Sequence, residues 1–304
     1  MGVTAGRRGY FPTYPSTTGD PDMQHTVLGL HHVTATVADA QTDLDFCRGA
    51  MGLRLVKKTV NFDNRRVYHF YYGDERGTPG TIWTTFPYRD EGVAPGQFGA
   101  GQISTTAFSV PPGSLDRWRA RLTGRSGKLE QTAGRFGEPT LRFTDPSGLV
   151  FEAVESPSDS RVAWTGGDLG PETAIRGLHS VTLLVRDPGP TAGLLTDLLG
   201  FRQVDETAGA IRLAAGGDSP GHLVDILAAP DAPPARNGLG TVHHVAFAVS
   251  DGEEQGRLGA ELLRQGFKVT DVMDRQYFQS VYFREPGETV DETLPCLGQD
   301  LKLP

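Results

Sequence analysis

Two adjacent histidine pairs, His31-His32 and His243-His244, stand out as the residues of this 304-residue chain most able to do chemistry. A neutral imidazole can bind a first-row divalent metal or move a proton near pH 7. Two imidazoles and one carboxylate form a facial set with open coordination positions, which suits Fe(II), Mn(II) or a similar ion. A lone His-His dipeptide is a weak motif, but here it recurs in matching contexts. His32-Val33 corresponds to His244-Val245, so His32 and His244 form one equivalent set and His31 and His243 the other. Strict strand alternation turns the two sets to opposite faces. One set should ligate, and the other can bond the backbone and fix the strand.

A carboxylate is needed to complete such a site. Asp145-Pro146-Ser147-Gly148-Leu149-Val150-Phe151-Glu152 and Glu285-Pro286-Gly287-Glu288-Thr289-Val290-Asp291-Glu292 each carry a valine four residues and a glutamate six residues after the proline. Spacing therefore selects Glu292 as the carboxylate, in the slot that Glu152 fills elsewhere. Glu152 lies in an apolar strand pattern, whereas Glu292 lies in a stretch that reads as loop. Glu152 and His179 could contribute to a second site. Ile103 and Ser104 stand in place of a histidine pair there, and His179 aligns with His31, so that site is short of ligands and reads as a structural duplicate.

The elements that must position these residues recur four times. Each module opens on a strand with period-two alternation: Gly29 to Val37, Gln102 to Val110, Gly177 to Val185 and Val242 to Val249. The first and third share G-L-H-x-V-T. A stretch able to form an amphipathic helix follows each opening: Ala38 to Met51, Ser114 to Leu122, Pro190 to Leu199 and Gly252 to Gln265. Three of these lead into Gly52, Gly200 and Gly266, where glycine suits the residue just past a helix. Shorter strands then close each module. A βαβββ unit leaves one sheet face bare, so such units pair into a cup. The expected fold is α+β: four βαβββ modules paired into two cupped mixed sheets. Residues 1–27 read as a polar tail, 28–155 and 175–304 as two halves of two modules each, and 156–174 as a linker. The last strand of the second half looks truncated.

Composition narrows the function classes. A net charge of −8 argues against nucleic-acid binding, which needs clustered Lys and Arg. Two cysteines without CxxC spacing support neither a disulfide framework nor a zinc knuckle and fit a reducing cytoplasm. No apolar run approaches the ~20 residues of a membrane-spanning helix, and the start lacks an apolar targeting core.

Several segments resemble one family closely. His31-His32-Val33-Thr34, Gly52-Leu53-Arg54-Leu55-Val56-Lys57-Lys58-Thr59-Val60-Asn61-Phe62-Asp63, Tyr68-His69-Phe70-Tyr71-Tyr72-Gly73-Asp74 and Gly77-Thr78-Pro79-Gly80-Thr81 are similar to hydroquinone-type ring-cleaving dioxygenases of the vicinal oxygen chelate superfamily. The similarity resumes at His243-His244 and from Asp274 to Gly287. It implies that modules one and four share the active cup, that His32, His244 and a glutamate on the last strand bind Fe(II) or Mn(II), and that His31, His243, Arg275 and Tyr282 surround the substrate. It implies an enzyme acting on a small aromatic and O2, and leaves a homo-oligomer open. One departure is plain: family members continue after R-E-P-G-G with an apolar strand before a tail like Asp291 to Pro304, and that strand is missing. A glyoxalase-like isomerase or lyase, or an inactive aromatic-binding homologue, are the competing expectations.

Overall fold

The computed structural model describes residues 27–275, 278–286 and 296–298, the last segment as backbone alone. Module one comprises β1 (Gly29–Val37), α1 (Ala40–Leu44, continued by a π-helical turn over Asp45–Ala50), β2 (Arg54–Val60), β3 (Tyr68–Gly73) and β4 (Ile82–Pro87). Module two comprises β5 (Gln102–Val110), α2 (Leu115–Leu122), β6 (Leu129–Thr132), β7 (Thr140–Thr144) and β8 (Val150–Glu155). Module three comprises β9 (Gly177–Val185), α3 (Pro188–Gly193, continued by a π-helical turn over Leu194–Leu198), β10 (Arg202–Thr207), β11 (Ala210–Ala214) and β12 (Leu223–Ala228). Module four comprises β13 (Thr241–Ala248), α4 (Gly252–Arg264), β14 (Met273–Asp274), β15 (Gln279–Tyr282) and the short β16 (Cys296–Gly298). The tail from residue 1 to 26 lies outside the described residues.

The strand-to-helix handover repeats for a local reason. Asp39, Asp187 and Asp251 follow the first strands of modules one, three and four, and each accepts a backbone N–H of the helix start. This satisfies one of the otherwise orphan donors there. Gly52, Gly200 and Gly266 then adopt φ of 69°, 74° and 89° just past the helices, as their positions in sequence require.

The modules do not pair in sequence order. One eight-stranded mixed sheet runs β14-β15-β16-β13-β1-β4-β3-β2 and joins modules one and four. The other runs β10-β11-β12-β9-β5-β8-β7-β6 and joins modules two and three. In each, the first strands of two modules meet antiparallel at the centre, β1 with β13 and β5 with β9.

The larger apolar cluster among the described residues draws on both sheets. Trp83 of β4 meets Phe151 of β8 edge to face at 5.1 Å between ring centroids, and Phe151 is also packed by Phe108, Phe143 and Phe46. Such aromatic pairs add about 0.5–1.5 kcal/mol each beyond area burial. On α1, buried Asp43 accepts hydrogen bonds from Tyr72 (2.7 Å) and Thr85 (2.6 Å), tying the helix to β3 and β4.

Candidate functional site

The centre of the first sheet departs from strict alternation at the histidine pairs. Leu30 is opposite Phe247 and His32 opposite Ala246, so His31 is an extra residue, a bulge, in β1. Thr34 is opposite His244 and Ala35 opposite Val242, so His243 is the matching bulge in β13. A bulge re-aims a side chain relative to its neighbour. The members of each pair are therefore not turned to opposite faces: Nδ1 of His31 lies 2.8 Å from Nδ1 of His32, and Nδ1 of His243 lies 2.8 Å from Nδ1 of His244. The second sheet repeats the device, with Ser104 and His179 as the extra residues. Ser104-Thr105, one position later than the expected Ile103-Ser104, therefore stands in place of the histidine pair in module two.

Across the β1–β13 seam, Nε2 of His32 and Nε2 of His244 are 3.2 Å apart with their rings crossed at 81°. His32 is 3% and His244 4% exposed. Burial, aided by His31 and His69, pushes the His32 pKa well below the usual histidine range. Burial, aided by His243, His32, His69 and Arg275, does the same for His244. Both rings are held neutral, with a lone pair to offer. If each donates its Nδ1–H to the histidine before it, both Nε2 lone pairs face the seam, an arrangement that a shared cation would satisfy.

These residues fit a divalent metal. Two metal–nitrogen bonds of about 2.0–2.2 Å meeting near a right angle separate their nitrogens by roughly 3 Å, close to the spacing seen. A partner on the second ring nitrogen is the usual support of a ligating histidine. Glu292, the expected carboxylate, lies outside the described residues. Among the described residues no group of three or more His, Cys, Asp and Glu side chains could hold a metal. In module two the strand register pairs Ala107 with Glu152. In module four it pairs Ala246, the counterpart of Ala107, with Cys296. By backbone register, Cys296 stands where Glu152 does, whereas counting from the proline gave Glu292.

A cavity of about 340 Å³ opens on this seam, lined by His32, His69, Tyr71, Phe86, His243, His244, Met273, Arg275, Phe278 and Tyr282 among others. It is large enough for one small aromatic molecule. Tyr282 meets His244 edge to face at 5.4 Å. Arg275 lies 5.3 Å above the Tyr282 ring and pairs with Asp63 at 3.4 Å, its side chain 13% exposed. His243 is on the wall beside Phe86. His31 is fully buried behind His32, against Phe278. Sequence reasoning named His31, His32, His243, His244, Arg275 and Tyr282, all of which gather here. It passed over His69, Thr34 and Thr84. Thr34 bonds His244 Nε2 at 3.0 Å and Thr84 at 2.8 Å, and Thr84 bonds His69 Nε2 at 3.0 Å. The available signal was alternation along Tyr68-His69-Phe70-Tyr71-Tyr72, which puts His69 and Tyr71 on one face.

The second sheet fills the same frame with ion pairs. Thr182 pairs in register with Asp225 as Thr34 does with Thr84. Asp225 is held by two Arg212 hydrogen bonds of 2.7 and 3.0 Å and by Arg135 at 3.4 Å. Glu152 is held by Arg142 at 2.7 Å and Arg135 at 3.4 Å, and His179 by Glu138 at 3.1 Å. Three arginines face three carboxylates, and none of the carboxylates is left for a metal.

Residues 29–153 and 177–290 match the Glyoxalase/Bleomycin resistance protein/Dioxygenase superfamily. MhqE of Bacillus subtilis, named as a candidate ring-cleaving dioxygenase, is 40% identical over 288 residues, 91% of this chain and 93% of that protein. The chlorohydroquinone/hydroquinone 1,2-dioxygenase of Sphingobium indicum is 35% identical over 284 residues, 91% of this chain and 88% of that one. The crystal structure of a candidate dioxygenase from Bacillus subtilis superposes with a TM-score of 0.84 at 38% identity, covering 91% of this chain and 86% of that one. Glyoxalase I from Zea mays shares the fold at a TM-score of 0.67 and 14% identity, over 89% of this chain and 92% of its own. With its paired βαβββ modules and a histidine pair at the seam of one sheet, the chain belongs to the Glyoxalase/Bleomycin resistance protein/Dioxygenase superfamily and, within it, to the ring-cleaving dioxygenases.

Proposed function

We propose that this protein opens the ring of a hydroquinone or a related dihydroxylated aromatic with O2, using Fe(II), with Mn(II) as the alternative ion. The observation that carries the reading is the facing pair of neutral imidazoles, His32 and His244, 3.2 Å apart on the wall of a cavity sized for one aromatic ring. His32 and His244 would hold the ion, with Glu292, selected by its spacing from Pro286, as the carboxylate of the set. When bound, the ion supplies a place where an aromatic oxygen and dioxygen can lie side by side and exchange electron density.

The chain's own residues do the rest. Phe86, Phe278 and Tyr71 give the cavity apolar walls that accept a ring and exclude water. Arg275 brings a fixed positive charge to the wall, where it steadies anionic oxygen. The Tyr282 hydroxyl and the His243 imidazole hold or move a proton at substrate oxygen. His31 and His243 orient the two ligating rings from behind.

The test is anaerobic loading with Fe(II), then hydroquinone and oxygen. Oxygen consumed in proportion to substrate, with a ring-opened product, is the expected result. Metal bound without oxygen uptake on any dihydroxybenzene overturns the reading, and substrate conversion without oxygen would place the chain with the isomerases of its superfamily.

A further inference from the structure

Three hydrogen bonds run from the metal-facing edge of His244 into the protein: His244 Nε2 to Thr34 Oγ1 (3.0 Å), Thr34 Oγ1 to Thr84 Oγ1 (2.8 Å), and Thr84 Oγ1 to His69 Nε2 (3.0 Å). Both threonines are fully buried, so water cannot intercept the chain. A hydroxyl donates and accepts at once, so each threonine can pass a proton along the line. His69 ends it. Its ring is 8% exposed and lies between Tyr71 and Phe86, with centroids at 4.0 and 4.3 Å. Among the described residues its Nδ1 has no hydrogen-bond partner. The Nδ1 atoms of His32 and His244 are tied to neighbouring histidines, but nothing behind His69 dictates which of its nitrogens carries the hydrogen. While His244 Nε2 accepts from Thr34, the three bonds need a hydrogen on His69 Nε2, which donates to Thr84. The other tautomer, whose Nε2 accepts from Thr84, becomes available once Thr34 turns away from His244.

A lone pair of His244 Nε2 given to a metal cannot also accept from Thr34. With an ion bound, the Thr34 hydroxyl would be released from His244 and could bond a substrate oxygen while staying linked to Thr84. Resting on the dioxygenase reading above, we propose that Thr34, Thr84 and His69 form a proton relay in which His69 stores the proton of the aromatic hydroxyl. The substrate O–H bond breaks and its proton joins Thr34. The Thr34 proton moves to Thr84, and the Thr84 proton forms a new N–H bond on His69 Nε2. The substrate is left as its oxyanion, and no electron is gained or lost. Burial, then neighbouring Arg275 and His243, lower the His69 pKa well below the usual histidine range, so it is neutral at rest and takes a proton only against that shift, with the oxyanion left on the substrate as its counter-charge. The Tyr71 and Phe86 ring faces can stabilise the imidazolium that forms.

The experiment uses metal-loaded protein and hydroquinone without oxygen, with an indicator dye following protons released on binding. Wild type should keep the proton. His69→Gln can hold the Thr84 hydrogen bond but cannot take a proton, and Thr84→Val removes the link at nearly constant volume. Both should release a proton to solvent for each substrate bound. With oxygen, their kcat should fall roughly 10–100-fold, with KM changed far less and metal content equal to wild type. Thr84→Ser, which restores the hydroxyl, should return proton retention and rate. Release from wild type, retention in the variants, or equal behaviour of Thr84→Val and Thr84→Ser would overturn the relay. If wild type binds metal but neither binds hydroquinone nor consumes oxygen with it, the dioxygenase reading falls and takes the relay with it.

Discussion

His32 and His244 present their Nε2 atoms to each other at 3.2 Å, and each ring is backed by the histidine before it through a 2.8 Å contact between Nδ1 atoms. If His31 and His243 accept in these contacts, the His32 and His244 rings carry their hydrogen on Nδ1 and leave the Nε2 lone pairs for a metal. We expect His31→Ala to leave the fold intact and to weaken metal binding by about 10–100-fold, the usual effect of removing a partner of a metal-bound histidine. Competition with a chelator of known affinity measures it. Affinity equal to wild type would show that His31 does not set the His32 tautomer.

The third ligand has two positions to choose between. Counting from the proline favours Glu292, while strand register puts Cys296 opposite Ala246 in the slot that Glu152 fills in module two. A carboxylate and a thiolate favour different ions, since sulfur suits softer metals than oxygen does. Glu292→Gln should reduce bound Fe(II) sharply and Cys296→Ser should leave it nearly unchanged if the carboxylate ligates; the reverse pattern would assign the cysteine. Metal analysis of the two variants beside wild type separates them.

The modules, the helix-terminating glycines and the seam histidines were legible because each is a repeated local pattern. The bulges were not. A period of two says which face a residue takes only while the strand is regular, and the extra residues His31 and His243 are visible only once their partner strand is known. The same limit displaced the expected counterpart of the histidine pair in module two by one residue, to Ser104-Thr105. Thr34, Thr84 and His69 escaped notice because their link crosses three strands, joining residues far apart in sequence. The pairing of modules one and four followed from the family resemblance and not from periodicity, which treats all four modules alike.

The second cup is expected to be a purely structural device. Asp225 is fully buried and carries the bidentate bond from Arg212. Asp225→Ala would leave a largely buried guanidinium with one of its carboxylates gone, a change that typically costs about 3–5 kcal/mol. Urea unfolding should show that loss, while the Fe(II) content of the folded fraction stays at the wild-type level. Loss of metal in step with loss of stability would show that the two cups are coupled.

One half-buried and one buried carboxylate should shape the stability profile with pH from opposite sides. Burial opposes ionisation of Glu138, but His179 and Arg212 outweigh it and bring its pKa to about 2, below its ordinary value of 4.5. A depressed carboxylate stabilises the fold above its unfolded pKa, so this contribution should be complete above about pH 4.5 and lost as pH falls toward 2. Asp145 behaves in the opposite way. Burial, with Asp43 nearby, raises it to about 7 despite hydrogen bonds from the backbone N–H groups of Leu149 and Ser147. Its contribution is complete below its unfolded pKa and is lost as pH rises through 7. The Asp145 loss runs from about pH 4 to 7, so stability should peak at about pH 4 to 4.5 and decline from there toward 7. Glu138→Gln should remove about 1–2 kcal/mol of the acid-side dependence, allowing for solvent screening. Asp145→Asn, which keeps an acceptor for the turn, should flatten the neutral side. Denaturant unfolding from pH 3 to 9 measures both slopes, and a variant whose slope matches wild type would show that its carboxylate is not the group titrating.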